Sequence, residues 1–123
     1  MVGELQGRPL RIGTPEFGQA FETWLLHELA CHRDYVSGEP LHFWRTQSGL
    51  EVDFIVGDHT AIEAKASATV SAHDLRGLRA LAEERGLRRY LCVSLERCRR
   101  EVDGIVVLPY ADFLEGLWSG EWR

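Results

Sequence analysis

The sequence contains one lysine, three cysteines and no apolar run that approaches membrane-spanning length. Uninterrupted apolar runs such as 54–56 and 105–108 fall far short of the ~20 residues that a bilayer requires. A transmembrane helix is therefore excluded. Cys31, Cys92 and Cys98 form an odd set without CxxC spacing, so neither a disulfide framework nor a structural zinc site is expected. Free thiols in a reducing compartment are the plain reading. Met1-Val2-Gly3-Glu4 lacks the charged and apolar regions of a secretory signal, which places the expected protein in the cytoplasm. Excess positive charge is missing too: 14 basic residues against 19 acidic ones leave a net charge of -5. That balance argues against tight, sequence-blind binding to nucleic acid, while leaving room for a local basic face.

What is present is the composition of one soluble domain. The 123 residues are 45% hydrophobic and 27% charged, and a compact chain of this size buries roughly two-thirds of its unfolded surface without a staple. No internal repeat or low-complexity tract occurs. Residues 1–13 read as an irregular arm and 14–123 as the domain.

Thr14-Pro15-Glu16 combines an N-cap, a proline at the first helical position and an acid in the first turn. A helix is predicted over 15–35, with Phe17, Phe21, Trp24, Leu25 and Leu29 as its core stripe. Strands follow at 41–46, 50–56 and 61–66, separated by breaks short enough for hairpins. A second helix is expected over 71–85, ended by Gly86, then strands at 89–94 and 104–108 and a closing helix at 110–118. The order α-β-β-β-α-β-β-α implies an α/β fold with a mixed central sheet flanked by helices.

Charged residues interrupt two of these apolar strands. Asp53 lies within Glu51-Val52-Asp53-Phe54-Ile55-Val56, and Glu63 and Lys65 within Ala61-Ile62-Glu63-Ala64-Lys65-Ala66. A buried unpaired charge costs several kcal/mol, so such residues must be paired, hydrogen-bonded or bound to metal. Glu63 and Lys65 share a face, ~6.6 Å apart by strand rise. A three-residue loop at Gly57-Asp58-His59 puts Asp53 across from Glu63 on that face; a loop of even length needs a bulge to restore the phase. We expect the odd loop or the bulge. Two converging carboxylates suit a hard divalent cation, Mg²⁺ or Mn²⁺, and a neighbouring lysine can orient or deprotonate a water or offset charge on a phosphate.

Glu22, at about 100° per residue, falls beside Leu25, Leu26 and Leu29 on the flank of the apolar stripe, and Glu28 nearer its centre. Either can serve as a further acid. Glu-x-Lys alone is a weak signal, since roughly half of chains this size contain it by chance. The setting sharpens it: Lys65 is the only lysine beside thirteen arginines.

Taken together, Asp53, Glu63 and Lys65 resemble the PD-(D/E)XK nuclease-like superfamily. That resemblance implies a restriction-endonuclease-like α-β-β-β-α-β core. More closely, Gly18-Gln19-Ala20-Phe21-Glu22, Glu28-Leu29, Phe43-Trp44-Arg45-Thr46, Glu51 to Val56, Ile62-Glu63-Ala64-Lys65-Ala66-Ser67 and the Leu108-Pro109-Tyr110 finish are similar to one branch. It is the domain of unknown function found C-terminal to prokaryotic AAA-type ATPases. The likeness implies that Glu22 is the helix carboxylate of the site. No GxxxxGK[ST] loop occurs here, so the ATP-hydrolysing half is expected either to have been lost or to lie on a partner chain.

Two functions are expected in competition. One is a nuclease-like domain that hydrolyses DNA phosphodiesters, with Asp53, Glu63 and Glu22 as metal ligands and Lys65 acting on the attacking water. The other is a non-catalytic interaction or oligomerisation module serving an AAA-type ATPase or a second copy. Blander readings accompany each residue. The acid-lysine trio can be an ion-pair cluster, Glu22 a solvated acid, and Glu28 a partner of Arg45. Arg45 can touch phosphate or pair with Glu28 or Glu51. The arginines Arg76, Arg79, Arg85, Arg88, Arg89, Arg97, Arg99 and Arg100 are expected to form a solvated face rather than a phosphate track. His27 and Cys31, four apart, lack the further ligands a metal needs. The tryptophans are core candidates, with Trp118 and Trp122 exposed near the end.

Overall fold

The computed structural model describes residues 13–123 and, ahead of them, the backbone of two short strands. These strands, β1 (Glu4–Leu5) and β2 (Arg8–Pro9), pair antiparallel, so the arm expected to be irregular carries a small ladder. The remainder of that expectation lies outside the described residues.

Helix α1 (Pro15–His32) starts as its sequence dictates. The Thr14 side chain accepts a hydrogen bond from the Phe17 amide at 3.2 Å, and Pro15 occupies the first turn. The helix ends at His32 and passes into a π-helical turn, Arg33–Ser37, closed by Gly38 at φ 68°. The left-handed conformation there stops the chain two residues before Pro40. Strands β3 (Leu41–Arg45), β4 (Glu51–Val56) and β5 (Thr60–Lys65) form the expected antiparallel meander. A 3₁₀ turn, His73–Leu75, leads into α2 (Arg76–Glu84), followed by β6 (Arg89–Ser94), β7 (Arg100–Val102), β8 (Ile105–Pro109) and α3 (Tyr110–Ser119).

One sheet of six strands, ordered β3-β4-β5-β6-β8-β7, organises the domain. The α2 crossover makes β5 and β6 parallel, β6 and β8 are parallel too, and β7 turns back antiparallel on β8. Strand β7 is a correction to the element order read from hydrophobicity. Arg100 and Glu101 are exposed and the strand is short, so it leaves no apolar pattern; its signal is the Asp103–Gly104 turn, where both residues have positive φ.

Helices cover both faces. On one face α1 and α3 bury Phe21, Leu25, Leu29 and Phe113 against Ile62, Leu91, Val93 and Leu108. On the other, α2 sets Leu78 and Leu81 against Val52, Ile55, Ala61, Cys92 and Val107. The alternation Leu91, Cys92, Val93 shows the sheet feeding both cores from one strand. Each fully buried leucine contributes roughly 1.5–3 kcal/mol of burial free energy.

Helix α2 lies unusually close to the start of β4. A Cβ placed on Gly77 would fall 2.1 Å from the Glu51 carbonyl oxygen, a backbone atom that cannot swing aside. Gly77→Ala is therefore expected to push α2 off the strand and cost about 1–3 kcal/mol, read as a lowered melting temperature. Gly86→Ala, which meets open space, should leave the midpoint much nearer the wild-type value.

Candidate active site

The chemistry read from the sequence gathers where β4 and β5 part. Their connection is the three-residue loop 57–59, and the register Val56↔Thr60, Ile55↔Ala61, Phe54↔Ile62 carries Asp53 opposite Glu63. Ladder pairing ends at Phe54↔Ile62. Beyond it the carboxylates take over the backbone: the Asp53 amide donates to Glu63 Oε1 at 3.0 Å, and the Ala64 amide donates to Asp53 Oδ2 at 2.9 Å. Each acid thus bridges to the opposite strand and keeps one oxygen uncommitted by these bonds.

The odd loop alone sets that phase, and the β4–β5 ladder has no bulge; a different one lies on the other side of β4, in its pairing with β3. Between the pairs His42↔Ile55 and Trp44↔Val52, Phe43 alone faces Asp53 and Phe54. An extra residue of this kind bends a strand and re-aims a side chain. It is the reason Val52 and Ile55, three apart, both enter the α2-side core.

Electrostatics tie the acids together. Burial pushes the Glu63 carboxyl up to about 9, with further push from the Asp53 charge and a hydrogen bond from Glu63 to Asp53; Lys65 pulls it back. Asp53 is also raised, chiefly by burial, against the lowering pull of the Ala64 amide, Glu63 and Lys65. Burial thus disfavours a negative charge on both acids. Lys65 Nζ stands 3.8 Å from Glu63 Oε2, about a third exposed, and favours the ionised form of both acids. Cys92, the parallel neighbour of Glu63, is fully buried, and its thiol is pushed up to about 12, so it is inert.

A cavity of about 310 Å³ opens beside Asp53, lined by Glu22, Phe43, Trp44, Arg45, Glu51 and Val52. Glu22 from α1 reaches this cavity, and its carboxyl is raised by burial and by the charges of Asp53 and Glu51. Glu28 is not among the lining residues. Arg45 pairs with Glu51 at 3.1 Å, one of the two acids read for it, rather than with Glu28. Among the described residues no group of three or more His, Cys, Asp or Glu side chains is gathered tightly enough to hold an ion by itself. Asp53 and Glu63 meet through these bonds; Glu22 shares the cavity with Asp53, and neither Glu63 nor Lys65 is among its lining residues.

Phe43 is the lining residue that the sequence hides. An aromatic on a strand reads as core, yet Phe43 is 74% exposed on the edge strand while its neighbour Trp44 is buried. The other readings resolve simply. His27 and Cys31 touch at 3.7 Å on the open side of α1. Of the eight arginines, Arg79, Arg99 and Arg100 pair with Asp103, Glu121 and Glu96, while Arg76, Arg85, Arg88 and Arg97 are exposed. Trp118 is 45% exposed, whereas Trp122 stacks on Phe113 and donates to its carbonyl.

The raised Glu63 carboxyl predicts how stability follows pH. A carboxyl held neutral in the fold gives its full benefit below the unfolded value of 4.5 and loses it as pH rises toward 9. Glu63→Gln does not titrate there. In chelator, its melting temperature should gain on wild type steadily between pH 5 and 9, where each kcal/mol moves the midpoint by about 3–6 °C. A constant difference across that range would mean that Glu63 ionises normally.

Among known proteins, no curated sequence and no solved structure matches the chain. The described residues contain no helix long and apolar enough to cross a membrane. A family model, described as a domain of unknown function (DUF4143), matches residues 17–113, a span that runs from the first turns of α1 to Phe113 and includes Glu22, Asp53, Glu63 and Lys65. The chain belongs to the DUF4143 family of domains of unknown function.

Proposed function

We propose that this domain is a PD-(D/E)XK-like, metal-dependent phosphodiesterase acting on DNA, with a restriction-endonuclease-like core. One observation carries the reading: the Asp53 and Glu63 carboxylates are held by backbone amides of the opposite strand at the fork of β4 and β5, with the chain's only lysine beside them. The donor set fits a hard cation. Mg²⁺ is commonly held by one or two carboxylates, with water and substrate phosphates completing the shell, so the pair suffices without a third direct ligand. Asp53 and Glu63 would hold Mg²⁺ or Mn²⁺. Glu22, across the cavity, would act through water.

When bound, the cation supplies Lewis acidity toward a phosphate oxygen. The remaining work falls to the protein. Amides of β4 and β5 fix one oxygen of each carboxylate, which sets their direction before any ligand arrives. Lys65, at the rim, orients the attacking water and offsets the charge that grows on the phosphate as the P–O ester bond breaks. Its compact ammonium suits a point contact of this kind better than a guanidinium fork.

The exposed apolar surface favours the second reading, an interaction module for an AAA-type ATPase chain or a second copy. Tyr35 is 83% exposed, Val36 and Trp118 are each 45% exposed, and Trp118 packs edge-on against His32 at the end of α1. Metal titration separates the two. Calorimetry with Mn²⁺ should show binding to wild type that Asp53→Asn abolishes; no binding at millimolar metal would favour the module.

For the enzyme reading, DNA cleavage with Mn²⁺ should fall by at least about 100-fold in Asp53→Ala and Lys65→Ala, the range typical of lost acid-base or electrostatic groups. Equal rates in all three proteins would trace the activity to a contaminant.

A further inference from the structure

A single exposed apolar ring is ordinary on a protein surface. Phe43 differs in its place. It sits on β3, an edge strand whose outer side no other strand pairs among the described residues. It faces the bulge that contains Asp53, and it lines the same cavity as Asp53 and Glu22. Arg45 follows two residues along at the same cavity, paired with Glu51 yet with 64% of its side chain exposed. Asp53, Glu22, an open aromatic face and an accessible guanidinium therefore border one space.

Charge across the rest of the molecule narrows what can enter. Binding a duplex by its backbone needs a track of cations against phosphates. Here the chain carries a net charge of -5, and Arg79, Arg99 and Arg100 are already engaged by acids. Stacking on an aromatic ring is the other general way to hold a nucleic-acid strand. It requires a base whose face is free, which the interior of a duplex does not offer.

We infer that the cavity takes a strand with unpaired nucleotides, Phe43 stacking on a base beside the scissile phosphate and Arg45 meeting a flanking phosphate. The inference rests on the phosphodiesterase reading above and names its substrate class. Phe43 is a specificity residue in this arrangement, and the carboxylates and Lys65 remain the reacting site.

The test uses a labelled single-stranded oligonucleotide, the blunt duplex made from it, and that duplex with a single-stranded flap, with binding followed by anisotropy and cleavage by gel in Mn²⁺. Single strand and flap should be bound and cut at least about tenfold better than blunt duplex. Phe43→Ala should weaken single-strand binding by about tenfold, the scale of one lost base stack, and Phe43→Trp should restore it. Being so exposed, the residue can be changed without disturbing the core. Blunt duplex bound as well as single strand, or Phe43→Ala within twofold of wild type, overturns the inference. Mn²⁺ calorimetry on the same samples separates the levels. Metal binding without a Phe43 effect sinks this inference alone, and no metal binding by wild type sinks the phosphodiesterase reading and this inference with it.

Discussion

At the point where β4 and β5 stop pairing, backbone amides would ordinarily be left to solvent or to a third strand. Here two side chains close the gap: Asp53 accepts from the Ala64 amide and Glu63 from the Asp53 amide. The exchange satisfies donors that would otherwise cost about 1–3 kcal/mol each if buried unpaired. It also holds the two acids side by side. The neighbouring features serve this junction. The three-residue loop sets the phase, the bulge opposite Phe43 turns the strand, and Gly77 lets α2 press on the start of β4.

The charge balance of the junction explains why the lone lysine stands where it does. Asp53 and Glu63 are both disfavoured as anions by burial, and the one ammonium nearby stands beside Glu63. An arginine at this position would tend to grip a carboxylate with two parallel hydrogen bonds, committing the oxygens that the amides leave open. Lys65 instead rests 3.8 Å from Glu63 Oε2, close enough to compensate charge and loose enough to leave the oxygen available. With both acids ionised the pair carries two negative charges, which a divalent cation matches and one lysine alone does not.

Much of this was legible because it depends on local rules. Thr14-Pro15 marks the start of α1, period-two alternation gives the strands, and an odd loop at 57–59 puts positions 53 and 63 in phase. Those rules act over a few residues, so the sequence displays them. Features that depend on pairing were hidden. Strand β7 carries two exposed charged residues and makes sense only through its partner β8. Whether Glu22 or Glu28 reaches the cavity depends on how α1 rolls against the sheet, a matter of a single helical turn that the broad apolar stripe does not decide. Arg45 had two acids within plausible reach and took the one directly across the β3–β4 ladder, Glu51. Phe43 shows the same limit most clearly, since an aromatic between His42 and Trp44 has the pattern of a core residue and becomes exposed because β3 is the sheet's edge.

That edge also accounts for the bulge in a second way. A flat outer strand with free amides and carbonyls is a template for unwanted pairing, and proteins blunt it with twist, charge or irregularity. Strand β3 has irregular pairing with β4 at Phe43, and Arg45 stands exposed at its end. The distortion that discourages a further strand is the one that places Phe43 opposite Asp53 and opens the cavity between β3 and α1. Protection of the edge and construction of the cavity are thus consequences of one inserted residue. A regular β4 would return Val52 to the opposite face, close the space beside Asp53 and leave the acid pair without access from solvent on that side.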